Sequence, residues 1–134
     1  MSDRGVRSER TVDDWRDPAG GLFPDARWRR PFELAWESLQ AGSFPVGAAL
    51  FDPAGAVVAE GRNRIAEQGP PPGQLAGTRL AHAEMNALLQ IPPDSHWDFT
   101  LYTTLEPCLL CTSALRITYV GKVLFAAPDD YWAG

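Results

Sequence analysis

No stretch of this chain approaches the roughly 18 uninterrupted apolar residues that a membrane-spanning helix needs. Its opening, Met-Ser-Asp-Arg-Gly-Val-Arg-Ser-Glu-Arg, is charged and polar, with no apolar signal-peptide core after it. A soluble, cytoplasmic protein is therefore expected. Cysteine is scarce: the 134 residues hold two, Cys108 and Cys111. That excludes a disulfide framework, and in a reducing compartment so close a pair more often binds metal or does redox work. Histidine is limited to His82 and His96, and Lys122 is the single lysine.

Basic charge is thus carried by arginine, and unevenly. Residues 1–30 hold seven arginines against six acids, or +1, while residues 31–134 hold five basic residues against eleven acids, or −6. An acidic body offers no electrostatic footprint for nucleic acid or an anionic membrane. What the chain has in quantity is apolar: 45% of it is hydrophobic, enough for one core in one domain.

Residues 1–30 lack sustained periodicity, are broken by Asp17-Pro18-Ala19-Gly20-Gly21, and read as a leader of uncertain order. From Pro31, Phe32, Ala35, Trp36 and Leu39 recur at helical steps up to Gly42. Val46–Phe51 and a second strand near Val57–Arg62 flank the turn Asp52-Pro53-Ala54-Gly55 and form an expected antiparallel hairpin. Residues 66–79 are a loop on composition alone. A short helix is expected over 81–89, stopped by Pro92-Pro93, then a strand over 99–104. Pro107 opens a helix through about Thr118, and 122–127 reads as a last strand. Strand, helix, strand implies a right-handed parallel crossover.

Cys108 and Cys111 lie three apart at an expected helix start, so both sulfurs face one way. Unpaired amides at such a start lower thiol pKa, which favours metal-binding thiolates. A closed four-ligand zinc site would need both histidines, 14 residues apart, and zinc fingers space theirs far more closely. His82, Cys108 and Cys111 with an open position for water fit better, and that is the catalytic arrangement. Zinc can lower the pKa of a coordinated water to about 7. Glu84, two residues after His82, can reach that water without binding the metal and move its proton.

His-x-Glu followed by Pro-Cys-x-x-Cys is the zinc deaminase signature. The chain resembles the cytidine-deaminase-like superfamily, most of all its tRNA adenosine, guanine and cytosine deaminase branch. The resemblance is carried by Phe-Pro-Val-Gly-Ala-Ala-Leu (44–50), Gly-Arg-Asn-Arg (61–64), Ala-His-Ala-Glu-Met-Asn-Ala-Leu (81–88) and Thr-Leu-Glu-Pro-Cys-Leu-Leu-Cys (104–111). It covers residues from about 31 to 127. The riboflavin-pathway deaminases share a similar Thr-Leu-Glu-Pro-Cys run but separate their cysteines more widely. The resemblance implies a three-layer α/β/α fold, with a central mixed sheet in which an antiparallel hairpin is followed by parallel strands. It implies zinc on His82, Cys108 and Cys111, proton transfer by Glu84, and substrate contact at Asn63 and Ala83. Residues 31–134 become the catalytic domain. Leu110 stands where many relatives place Met, a change of packing. Relatives usually continue past the fourth strand with elements that close the pocket; the chain is expected to lack them, as a truncated piece or with a partner completing the site.

The bland alternatives differ in weight. Cys-x-x-Cys after a strand also suits a thioredoxin-like redox pair, which the upstream His82-Ala83-Glu84 disfavours. His96, in Asp94-Ser95-His96-Trp97, is read as a surface residue. Asn63 alone would be a turn residue, and Glu106 is assigned to local hydrogen bonding near the cysteine turn. The tryptophans read as core or interface, with Trp28 and Trp132 assigned to a partner or a substrate edge. The expected activity is zinc-dependent hydrolytic deamination of an amino-substituted nucleobase, nucleoside or nucleotide, by a homodimer. The alternatives are adenosine-to-inosine editing of tRNA, which the charge disfavours, and a catalytically silent zinc-stabilised interaction module, which the presence of Glu84 disfavours.

Overall fold

The structure, a computed structural model, describes residues 25–130. Most of the expected leader and Trp132 lie outside the described residues. A one-turn 3-10 helix (Ala26–Trp28) leads into α1 (Arg29–Gln40), β1 (Gly47–Phe51), β2 (Val57–Arg62), α2 (Ala83–Leu88), β3 (His96–Leu105), α3 (Leu109–Ile117) and β4 (Val120–Ala127). Asp25 caps the opening turn by accepting from the Arg27 amide at 3.0 Å, and α1 starts two residues before Pro31.

The four strands form one sheet in the order β2-β1-β3-β4. β1 runs antiparallel to β2 and to β3, whereas β3 and β4 are parallel and joined through α3. This is the mixed sheet expected, hairpin and parallel crossover included. Alternation along β1 divides the core. Ala48 and Leu50 join Leu101, Ala87, Leu88 and Leu115 on the face covered by α2 and α3. Ala49 and Phe51 join Tyr102 and Trp28 on the opposite face, where Phe32 of α1 packs. Helix, sheet and helix make three layers.

Two glycines let the helices come this close. A Cβ at Gly61 would meet the Ala83 carbonyl and the Ala87 amide at 2.4 Å, so only glycine lets α2 press onto β2. On the other face, a Cβ at Gly47 would lie 2.1 Å from the Pro31 carbonyl of α1.

Three expectations are corrected. β3 begins at His96, earlier than composition suggests, because pairing with Val120 recruits the polar His-Trp-Asp stretch. His96 is consequently buried, not a surface residue. Its amide donates to the Tyr119 carbonyl at 3.1 Å, its ring meets Phe99 edge-on, and its Nδ1 has no hydrogen-bond partner. Trp28 is a core residue rather than a partner contact: it is 2% exposed and packs edge-on against Tyr102, while one side of it borders the cavity described below. Asp25 accepts from the Tyr102 hydroxyl, tying the opening turn to the sheet. No helix among the described residues is long and apolar enough to cross a membrane.

Candidate metal centre and active site

His82 is the N-cap of α2 and Cys108 the N-cap of α3, both in extended backbone conformation. Each helix therefore begins one residue after a candidate ligand, and α3 carries Cys111 on its first turn. The carbonyls of the two caps accept the first intrahelical bonds, from Asn86 at 2.9 Å and Thr112 at 2.8 Å, which holds both residues in place.

His82 Nδ1 lies 3.4 Å from Cys108 Sγ and 3.4 Å from Cys111 Sγ. The three ligand atoms all fall within 4.8 Å of one another. A tetrahedral metal with ordinary Zn–N and Zn–S bonds holds such ligands about 3.5 Å apart. The donor set and its spacing thus fit zinc, with His82 turning Nδ1 toward the thiols. His96, on β3, is not part of this cluster.

The expected lowering of both thiols is not met at Cys111. That side chain is fully buried, and burial pushes its thiol far above the ordinary value. The Glu84 carboxylate and Cys108 beside it push in the same direction. The cause is desolvation with like charge nearby, an environment that a bound cation reverses.

Glu84 sits on the first turn of α2, 4% exposed, and accepts from the Thr103 hydroxyl at 2.9 Å. Thr103 is itself fully buried on β3. It carries no role in the sequence, where nothing separates it from Thr100 and Thr104 in the same expected strand. Neighbouring Thr104 accepts from the Gly47 amide at 3.1 Å and joins the site to β1.

A cavity of about 1250 Å³ opens over this cluster, bordered by His82, Glu84, Cys108 and Asn63. Ala83 borders it too, although it is 1% exposed. The remaining wall is mostly apolar and includes Trp36, Phe44 and Leu109, all more than half exposed, with Arg79, Glu106 and Asp129 as its charged members. Glu106 accepts from the Asp129 amide at 3.2 Å, in keeping with its expected local bonding.

Asn63 follows β2 and is 5% exposed. Its amide donates to Val46 at 3.0 Å, its Oδ1 accepts from Ile65 at 3.1 Å, and its carbonyl accepts from Ser38 at 2.7 Å. The loop after it is ordered by polar staples. Glu67 receives two bonds of 2.7 Å from Arg62, one of 3.2 Å from Arg64 and one of 3.0 Å from Ser43. Asn86, wholly buried on α2, accepts from the Leu75 amide at 2.7 Å and donates to the Arg62 and Leu75 carbonyls at 3.1 Å. Composition identified a loop here but none of these staples.

Burial alone would raise the Glu67 carboxyl; the hydrogen bonds from Arg62 and Ser43 and the two guanidinium charges outweigh it and hold it below the ordinary glutamate range. A carboxyl depressed by folding contributes stability that is present above its unfolded pKa and lost as pH falls through the folded one. Urea unfolding is therefore expected to show stability declining below about pH 4.5, and Glu67→Gln to flatten that decline. A slope unchanged by the substitution would remove Glu67 from the acid response.

Residues 27–127 match the cytidine and deoxycytidylate deaminase zinc-binding region. The tRNA-specific adenosine deaminase of Haemophilus influenzae is 34% identical over 111 residues, spanning 80% of this chain and 60% of the relative. Two solved guanine deaminases are similar in structure. That of Bacillus subtilis has a TM-score of 0.61 at 30% identity, covering 75% of this chain and 61% of its own. That of Nitrosomonas europaea has a TM-score of 0.65 at 30% identity, covering 80% and 60%. The chain thus spans about three-fifths of the length of these relatives.

Proposed function

Because this chain belongs to the cytidine and deoxycytidylate deaminase zinc-binding family, we propose that it hydrolyses the exocyclic amino group of a nucleobase, nucleoside or nucleotide and releases ammonia. The observation that carries this is the buried Glu84 carboxylate, close enough to the metal-ligand atoms to raise the Cys111 thiol and bordering the cavity. A zinc held only for stability would not need it.

His82, Cys108 and Cys111 are the residues that would hold zinc. When bound, zinc supplies the Lewis acidity that makes water a nucleophile near neutral pH. Glu84 takes the proton that the attacking water gives up. It delivers that proton to a ring nitrogen, takes a second from the hydroxyl now on the ring carbon and passes it to the departing amine, so that water and substrate become a ring carbonyl and ammonia. The Thr103 hydrogen bond fixes the direction from which the carboxylate acts. Asn63 and the Ala83 backbone hold the edge of the ring. Asn63→Ala is expected to weaken substrate binding or turnover by about 1–3 kcal/mol with zinc content unchanged. Unaltered kinetics would return Asn63 to a turn residue.

The Haemophilus influenzae relative supports a second reading, editing of tRNA adenosine. Against it stand the −6 charge of residues 31–134 and the commitment of Arg62 and Arg64 to Glu67, which leaves few cations for phosphates. Ammonia release from a panel of amino-heterocycles by zinc-loaded protein tests the first reading. Inosine formation, with tRNA binding that weakens steeply in salt, would move the assignment to the second.

We place the protein in the cytoplasm, in nucleotide metabolism, with residues 31–134 as its catalytic domain and the homodimer as its working form. β2 and β4 are sheet edges, and open edges favour a second subunit. Light scattering is expected to report a dimer, and a monomer at high concentration would withdraw that part.

A further inference from the structure

Several arginines among the described residues are engaged. Arg62 and Arg64 bind Glu67, and Arg30 binds Glu60 at 2.7 Å. Arg79 is different. It borders the same cavity as Glu84 and Asn63, and among the described residues its side chain has no ion pair or hydrogen bond. Its backbone nevertheless sits in a fixed turn. Thr78 accepts from the Ala81 amide at 3.0 Å, Leu80 from His82 at 2.8 Å, and Ala81 from Arg64 at 2.9 Å. Three residues span at most about 11 Å, so the Arg79 backbone lies within that distance of His82.

A solvated surface arginine is the default explanation of such a residue. Two observations exceed it. The cavity, at about 1250 Å³, has room for far more than one base. Arg79 is also the only arginine or lysine among the described residues bordering it, on a domain that nets −6 and has Glu106 and Asp129 at the same cavity. A free base offers this cation no charge, whereas a phosphate monoester, near −2 at neutral pH, offers a charged bidentate partner whose attraction would offset its repulsion by those acids.

We propose that Arg79 contacts the phosphate of the substrate, and that the substrate class is an amino-substituted nucleoside 5′-monophosphate rather than a free base or nucleoside. This rests on the deaminase function proposed above. One charge-assisted contact of this kind is worth about 10- to 100-fold in kcat/KM.

The test presents the zinc-loaded full chain with adenine, guanine and cytosine, their nucleosides, their 5′-monophosphates and an anticodon stem-loop RNA. One monophosphate is expected to exceed its nucleoside by at least tenfold in kcat/KM. Arg79→Met should erase most of that advantage through KM, and Arg79→Lys should restore part of it. Calorimetry on a Glu84→Ala background reads the contact without turnover: the preferred monophosphate should bind at least tenfold more weakly when Arg79→Met is added, and added salt should weaken its binding. A base, a nucleoside or the RNA turned over as well as any monophosphate overturns the proposal and leaves the deaminase function standing. So does a monophosphate advantage, or an affinity, that Arg79→Met does not change. Ammonia from none of these compounds, with zinc bound, overturns the deaminase function itself.

Discussion

Replacing Glu84 by alanine is expected to lower turnover by about 100- to 10,000-fold while zinc content and fold persist. Among the described residues its carboxylate is the one buried acid at the cavity, and no ligand atom of the metal cluster belongs to it. Stability should change little. Truncation removes a buried carboxylate and strands only the Thr103 hydroxyl, which can still donate to the Leu105 carbonyl at 3.3 Å. Glu84→Gln is the sharper control, because it keeps the volume and an acceptor for Thr103 while losing the proton shuttle. Metal analysis, thermal melting and ammonia release on the three proteins decide the matter. If Glu84→Ala shed zinc as readily as a ligand variant, Glu84 would be a ligand and its role as proton carrier would fall.

Cys108→Ala acts on the other term. The zinc is expected to be lost, and stability to fall by about 4 kcal/mol or more relative to the zinc-loaded protein, because binding energy is also folding energy. For a domain of this size that is a drop in Tm of roughly 10–20 °C, which a chelator should reproduce in the unmodified chain. The Cys108 carbonyl starts α3 by accepting from Thr112, and alanine preserves that bond, so the loss would come from the metal and not from the cap. A variant that melts with the parent and retains its zinc would show that His82 and Cys111 suffice without Cys108.

His82, Glu84, Cys108 and Cys111 were legible in the sequence because their spacing is local. The residues lie two or three apart at the starts of two short helices, and a helix start orients its caps by its own hydrogen bonding. The hairpin and the parallel crossover were legible for the same reason, since alternation and turn residues report the face and direction of a segment without reference to its neighbours. Only the tertiary structure decided what those segments meet. Glu84 and Thr103 lie 19 residues apart, and their hydrogen bond depends on how β3 registers against β1 and how closely α2 approaches over Gly61. Asn63 is fastened by Ser38, 25 positions away, and the loop behind it by Asn86. His96 became buried because β4 paired with it, and its own polar neighbours carried no sign of that. Local patterning determines which residues are candidates for the chemistry, while the directions in which those side chains are held depend on contacts between segments far apart in the chain, which periodicity does not encode.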